Sequence, residues 1–116
     1  MTSLELRNIA NTAISSLINF SKKKGYPIEH TYLYAPYDLL GNDISLYLFF
    51  KTEQKCVNAL NYNFDIILQN QYRKMLVKEK YPEKHSKLAY IHLYSLEYAL
   101  ERSDGNINDF IDEYIL

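Results

Sequence analysis

Apolar residues return at three- and four-residue spacing over most of this chain, and that period commits it to helices. The clearest run opens the sequence. Leu6, Ile9, Ala10, Ala13, Ile14, Leu17 and Ile18 form one stripe, which predicts a helix over 3–24. Its end is marked three times. Lys22, Lys23 and Lys24 suit the negative end of the helix dipole, Gly25 can take the left-handed cap, and Pro27 blocks resumption. A second stripe, Val57, Leu60, Phe64, Ile67, Leu68, Gln71, Tyr72, Met75 and Leu76, predicts a helix over 53–80. Tyr81-Pro82 ends it, because the residue before a proline avoids the helical region. Pro82 fits the first turn of a third helix, 82–102, with Ala89, Leu93, Leu96 and Leu100 as its apolar line and Gly105 as its stop. Ile107, Phe110, Ile111, Tyr114 and Ile115 predict a last helix over 107–115, with Asp109, Asp112 and Glu113 on the opposite side.

Residues 29–52 break this pattern. Tyr32, Tyr34, Ile44, Tyr47, Phe49 and Phe50 favour strand, and Leu39-Leu40-Gly41-Asn42-Asp43 has turn chemistry. The favoured reading is a β-hairpin within 31–51, pairing 31–35 with 44–51. The alternative is a loop followed by a helix capped by Asp43. A lone hairpin is marginal in water and must pack on helices. The expected class is therefore mainly α: a four-helix arrangement with a small hairpin, in one domain spanning 1–116. Leu, Ile, Val and Phe supply 34 of the 116 residues, above the roughly 20% below which chains stay disordered. A compact core is expected.

Net charge is −1, so no global field steers the chain toward nucleic acid or an acidic membrane. The charges are segregated, however. Residues 71–90 carry six basic side chains (Arg73, Lys74, Lys78, Lys80, Lys84, Lys87) against Glu79 and Glu83, net +4. Residues 96–116 carry six acidic ones (Glu97, Glu101, Asp104, Asp109, Asp112, Glu113) against Arg102, net −5. Solvated faces account for both in the simplest way. The single cysteine suits a reducing compartment. The first residues lack an apolar h-region, and the longest apolar stretch, 46–50, is far shorter than the roughly 20 residues that cross a bilayer. A cytoplasmic protein with no membrane contact is expected.

Twelve of the residues are tyrosine. In the predicted helix 82–102, Tyr90, Tyr94 and Tyr98 lie at i, i+4 and i+8, one line beside the leucine line. Tyr32, Tyr34 and Tyr37 cluster separately. Tyrosine combines a large rigid contact surface with a hydroxyl, so such a line is either the wet edge of a core or a partner surface. As a partner surface it takes Tyr90, Tyr94 and Tyr98 as anchors, with Asp109, Asp112 and Glu113 as steering charge. The basic stretch Arg73, Lys74, Lys78, Lys84 and Lys87, interleaved with Tyr72, Tyr81 and Tyr90, is the competing nucleic-acid signal, since stacking plus cations is how single strands are held.

Catalytic signatures are thin. Cys56 is the only thiol, near a predicted helix start, with no recognised motif around it, and a structural role is the simpler reading. His85 and His92 are seven apart on the predicted helix, too far for one metal, where i, i+4 is usual. Three glycines cannot build a phosphate loop. No metal, no cofactor and no enzymatic activity are expected.

Ile9-Ala10-Asn11, Ile14-Ser15-Ser16-Leu17-Ile18, Tyr32-Leu33-Tyr34 and Ile44-Ser45-Leu46-Tyr47-Leu48-Phe49-Phe50 give the first half a helix-then-hairpin layout. That layout resembles small immunity proteins of bacterial polymorphic toxin systems. The resemblance implies a protein that masks a toxin, needs no cofactor and carries no catalytic residues. The leading expectation is thus a non-enzymatic protein-binding module, an inhibitor or immunity protein. A nucleic-acid-binding regulator and a structural homodimer that buries the last helix are the alternatives.

Overall fold

The structure, a computed structural model, describes residues 3–34 and 45–115. Helix α1 (Ser3–Lys23) leads into strand β1 (His30–Tyr34). Strand β2 (Ser45–Phe50) is followed by helices α2 (Glu53–Asn61), α3 (Phe64–Lys78) and α4 (Glu83–Ser86). Strand β3 (Tyr90–Ser95) then runs into α5 (Leu96–Arg102) and α6 (Ile107–Phe110), with a wider π-helical turn over Ile111–Ile115. The molecule is mainly α with a small three-stranded sheet, and it is not a four-helix arrangement.

α1 ends as its sequence dictates. Gly25 has φ +90°, and the Tyr26 N–H closes back on the Ser21 carbonyl at 2.9 Å. The hairpin partners also pair as expected: β1 runs antiparallel to β2, with Tyr32 opposite Tyr47 and Leu33 opposite Leu46. The turn expected at 39–43, Tyr37 and the strand ends at Ala35 and Ile44 lie outside the described residues.

Two expected helices are corrected. Of 82–102 only Glu83–Ser86 and Leu96–Arg102 are helical, and β3 lies between them. Tyr90-Ile91-His92-Leu93-Tyr94 alternates aromatic and aliphatic with period two. The leucine line at spacings of four and three masked that alternation. Parallel pairing with β2, Leu46 opposite Ile91 and Leu48 opposite Leu93, satisfies the second edge of the most apolar strand. A parallel partner needs a long crossover, and α2, α3 and α4 provide it. The expected helix 53–80 is also two helices. Asn63 sits in the left-handed region at φ 57°, a conformation that Asn tolerates better than most residues. That elbow resets the buried register, so Cys56 and Ala59 face inward from α2, and Phe64, Leu68, Tyr72 and Leu76 from α3. Val57, Leu60 and Ile67, assigned to the core by the single-helix stripe, are exposed.

The sheet separates two cores. Leu46, Leu48 and Phe50 of β2 point to one side, with Ile91 and Leu93 of β3 and Leu33 of β1 beside them. They meet Leu6, Ala10, Ala13 and Leu17 of α1 and the buried sides of α2 and α3. Phe49 points to the other side, against Ala99 of α5 and Phe110 of α6. Burying each Leu, Ile or Phe side chain among these contributes roughly 1.5–3 kcal/mol.

Candidate functional site

Alternation along the three strands sends every second side chain to the face opposite α1. The register then sets them in rows. Tyr34, Ser45 and Tyr90 form one row, Tyr32, Tyr47 and His92 the next, and His30, Phe49 and Tyr94 the third. Seven of these nine residues are Tyr or His. Within the middle row, Tyr47 lies 6.3 Å from Tyr32 and stacks on His92 at 4.6 Å with planes 15° apart. Tyr47 also stacks on Tyr94 at 6.1 Å, so the rows join into one aromatic sheet face.

Phe110 covers the third row. Its ring stands edge-on to Phe49, Tyr94 and Tyr98 at 6.3, 5.7 and 6.0 Å and stacks on Tyr114 at 5.0 Å. Edge-to-face geometry sets the positive ring edge on a negative ring face. α6 is placed for this by its cap: the Asn106 side chain accepts the N–H groups of Asn108 and Asp109 at 3.0 and 3.3 Å. In the first two rows Tyr34, Tyr90 and His92 are exposed, and Tyr32 and Tyr47 are half-buried against the cluster of Phe49, Ala99 and Phe110.

Burial pushes the Tyr47 phenol above its usual range, aided by neighbouring Tyr94, Tyr34 and Tyr32, so it stays a neutral hydroxyl donor. Partial burial of its ring lowers the His92 imidazole below its ordinary value, although the residue keeps an exposed edge.

Tyr90, Tyr94 and Tyr98 do share one side of the molecule, for a different reason than helical spacing. Tyr90 and Tyr94 are four apart on a strand, an even number, and so point the same way. Tyr98 arrives on α5, where its N–H is capped by the Ser95 hydroxyl at 3.0 Å. Tyr94 and Tyr98 are half-buried around Phe110, and Tyr90 is the exposed member. Asp109, Asp112 and Glu113 are exposed and line one open crevice with Arg102, Ser103 and Asp104. The Arg102 guanidinium lies 5.1 Å over the Tyr98 ring.

The basic residues do not gather beside the aromatic rows, Arg73 excepted. Arg73 Nε donates to the Ala89 carbonyl at 2.9 Å, and its guanidinium lies 5.5 Å from the Tyr90 ring centre. Lys74 and Lys78 line a hollow with Ser16 of α1, on the helical layer. Lys84 is exposed on α4, and Lys87 makes an exposed 4.0 Å pair with Glu83.

Tyr32, Tyr34, Tyr47 and His92 are the site residues that the helical reading missed as a group. The period-two run at Tyr90–Ser95 was the signal that could have assembled them. His85 and His92 do not share a helix; they sit on α4 and β3. Cys56 is buried, and that burial, with the Glu53 charge nearby, pushes its thiol up to about 11. Among the described residues no three His, Cys, Asp or Glu side chains are grouped for a metal, and no helix is long and apolar enough to cross a membrane. The apolar side of the last helix packs on its own chain through Phe110 and Ile111.

Compared with known proteins, the chain matches no family model, no curated protein and no solved structure.

Proposed function

We propose that this chain is a non-enzymatic protein-binding module of the stoichiometric-inhibitor kind, as an immunity protein is, and that it docks its partner on the aromatic sheet face. One observation carries this reading: Tyr32, Tyr34, Tyr47, Tyr90 and His92 form two adjoining rows on one face of the sheet, with Tyr34, Tyr90 and His92 exposed and Tyr32 and Tyr47 half-buried between them and Phe110. Strand-borne rings lose little entropy on binding, and Tyr combines apolar area with a hydroxyl, the combination found in interface hot spots. Asp109, Asp112 and Glu113 border the covered end and supply steering charge to a basic partner surface. A thiol held near 11 is almost wholly protonated at neutral pH, which speaks against Cys56 as a nucleophile. The nucleic-acid reading is weaker, since Lys74 and Lys78 sit on the helical layer, away from the rings.

Capture of host proteins on the purified chain, followed by identification of what copurifies, tests the proposal. A stoichiometric protein should be retained by the native chain and lost from Tyr32→Ala/Tyr47→Ala/Tyr90→Ala. Retention by the triple variant would sink the proposed surface. A steep salt-dependent gel shift with single-stranded nucleic acid, and no protein partner, would favour the other reading.

A further inference from the structure

Helices α2 and α3 are one helix in period and two in space, and the difference lies at Tyr62 and Asn63. Asn63 sits at φ 57° and gives α3 no side-chain cap, so it does not serve the helix that follows. In a helix running straight through, the first N–H groups of α3 would donate to α2 carbonyls instead. At roughly 100° per residue, Cys56 and Ala59 would then lie on nearly the opposite side of the axis from Phe64, Leu68, Tyr72 and Leu76. One straight helix therefore cannot lay both buried sets into one copy's core, but it can lay each set into a different copy. Leu60 and Ile67, seven residues apart, would share one side of that helix, between the two buried sets. The bent form leaves them 43% and 45% exposed.

We propose that Asn63 is a hinge, and that two copies of this chain exchange halves by straightening it. In the exchanged dimer residues 53–78 run as one helix, roughly 39 Å long. α1, β1, β2 and α2 of each copy then pack with α3, β3, α5 and α6 of the other. α3 meets α1, and β3 lies beside β2, as both do within one chain. Those interfaces are already complementary, so the exchange creates a single new surface. It forms where the two straight helices cross near Asn63, with Leu60 of one copy against Ile67 of the other about a two-fold axis. Side chains that the bent form exposes are thus the ones the exchange covers. Short hinges under strain invite such exchange, and straightening releases one left-handed residue in each copy. The proposal does not depend on the aromatic face being a docking surface, since each rebuilt unit carries that face, made of strands from both chains.

Refolding the purified full chain from denaturant at low and at high protein concentration, followed by sedimentation velocity, tests the hinge. A dimer should form on refolding at high concentration. Once isolated it should survive dilution, because exchanged halves separate only by unfolding, and unfolding it at low concentration should return monomer. Asn63→Ala should raise the dimer yield about tenfold, because alanine tolerates the left-handed region less than asparagine and favours helix more. Asn63→Gly, at ease in that region and poor in a helix, should stay monomeric. Leu60→Lys/Ile67→Lys should keep the native circular dichroism spectrum, both side chains being exposed in the monomer, and lose the dimer. Monomer alone from both the native chain and Asn63→Ala, a dimer that dissociates as soon as it is diluted, equal dimer yields from Asn63→Ala and Asn63→Gly, or an undiminished dimer from Leu60→Lys/Ile67→Lys overturns the proposal.

Discussion

Tyr72 is the largest fully buried side chain on the helical side of the sheet, and its hydroxyl has no hydrogen-bond partner among the described residues. Burial, with Tyr81 next in effect, pushes that phenol far above its normal range. The ring stabilises the core, and the oxygen costs stability, because an unpaired buried hydroxyl forfeits its hydration. Tyr72→Phe is therefore expected to leave stability unchanged or raise it by about 1 kcal/mol. Tyr72→Ala should cost about 3–5 kcal/mol, as other aromatic-to-alanine changes do. Urea midpoints of the two variants check this, and a large loss in Tyr72→Phe would reveal a partner for the hydroxyl. The sequence placed Tyr72 on a core stripe correctly, because its neighbours Leu68 and Leu76 share its side of α3. Nothing in the one-letter code shows whether a buried phenol finds an acceptor, since that depends on chain segments far away in sequence.

At the scale of elements, the junction of β3 and α5 is tied to the start of α2. Ser95 is buried, its oxygen accepts the Tyr98 N–H, and its hydroxyl donates to Glu53 Oε2 at 2.7 Å. The Glu97 carboxylate in turn accepts the Glu53 N–H at 3.1 Å. One serine thus caps α5 and ties it to the start of α2. Ser95→Ala should cost about 1–2 kcal/mol in thermal or urea unfolding. A loss within a few tenths would show that the cap and the Glu53 bond are dispensable. α1 and its glycine stop were legible because local rules alone decide them. β1 and β2 were legible because aromatic and branched residues crowd a segment with turn chemistry between them. β3 was not, since Ala89, Leu93, Leu96 and Leu100 satisfy a helical period and six residues of alternation are a short signal. The break at Asn63 was hidden too, because Val57 and Leu60 continue the spacing of the α3 stripe although Cys56 and Ala59 are the residues that α2 buries.

Across the whole molecule, one sheet serves two layers of unequal strength. The helical layer presents a continuous core, and the opposite layer depends on Phe110 packing on Phe49, Tyr94 and Tyr98. Phe110→Ala should cost about 3–5 kcal/mol and release the last turn from the sheet. Faster amide exchange confined to 96–115, with α1 and α3 still protected, is the expected pattern. Uniform loss of protection would show that the two layers unfold as one. Of the candidate site, the tyrosine line and the acidic cluster were readable in sequence. The rows of Tyr32, Tyr34, Tyr47 and His92 were not, because they exist only once strands from distant parts of the chain lie in register.

The parallel pairing of β2 with β3 also has a consequence in time. β2 holds Leu46, Leu48, Phe49 and Phe50, all fully buried in the finished fold, and its partner begins only at Tyr90. A ribosome adding roughly 5–20 residues per second needs about 2–8 s to travel from the end of one strand to the start of the other. During that interval the nascent chain carries its most apolar strand with an unpaired edge. The helices made in between, α2 and α3, cover one face of that strand as they emerge, so the crossover shelters β2 while its second neighbour is still being synthesised.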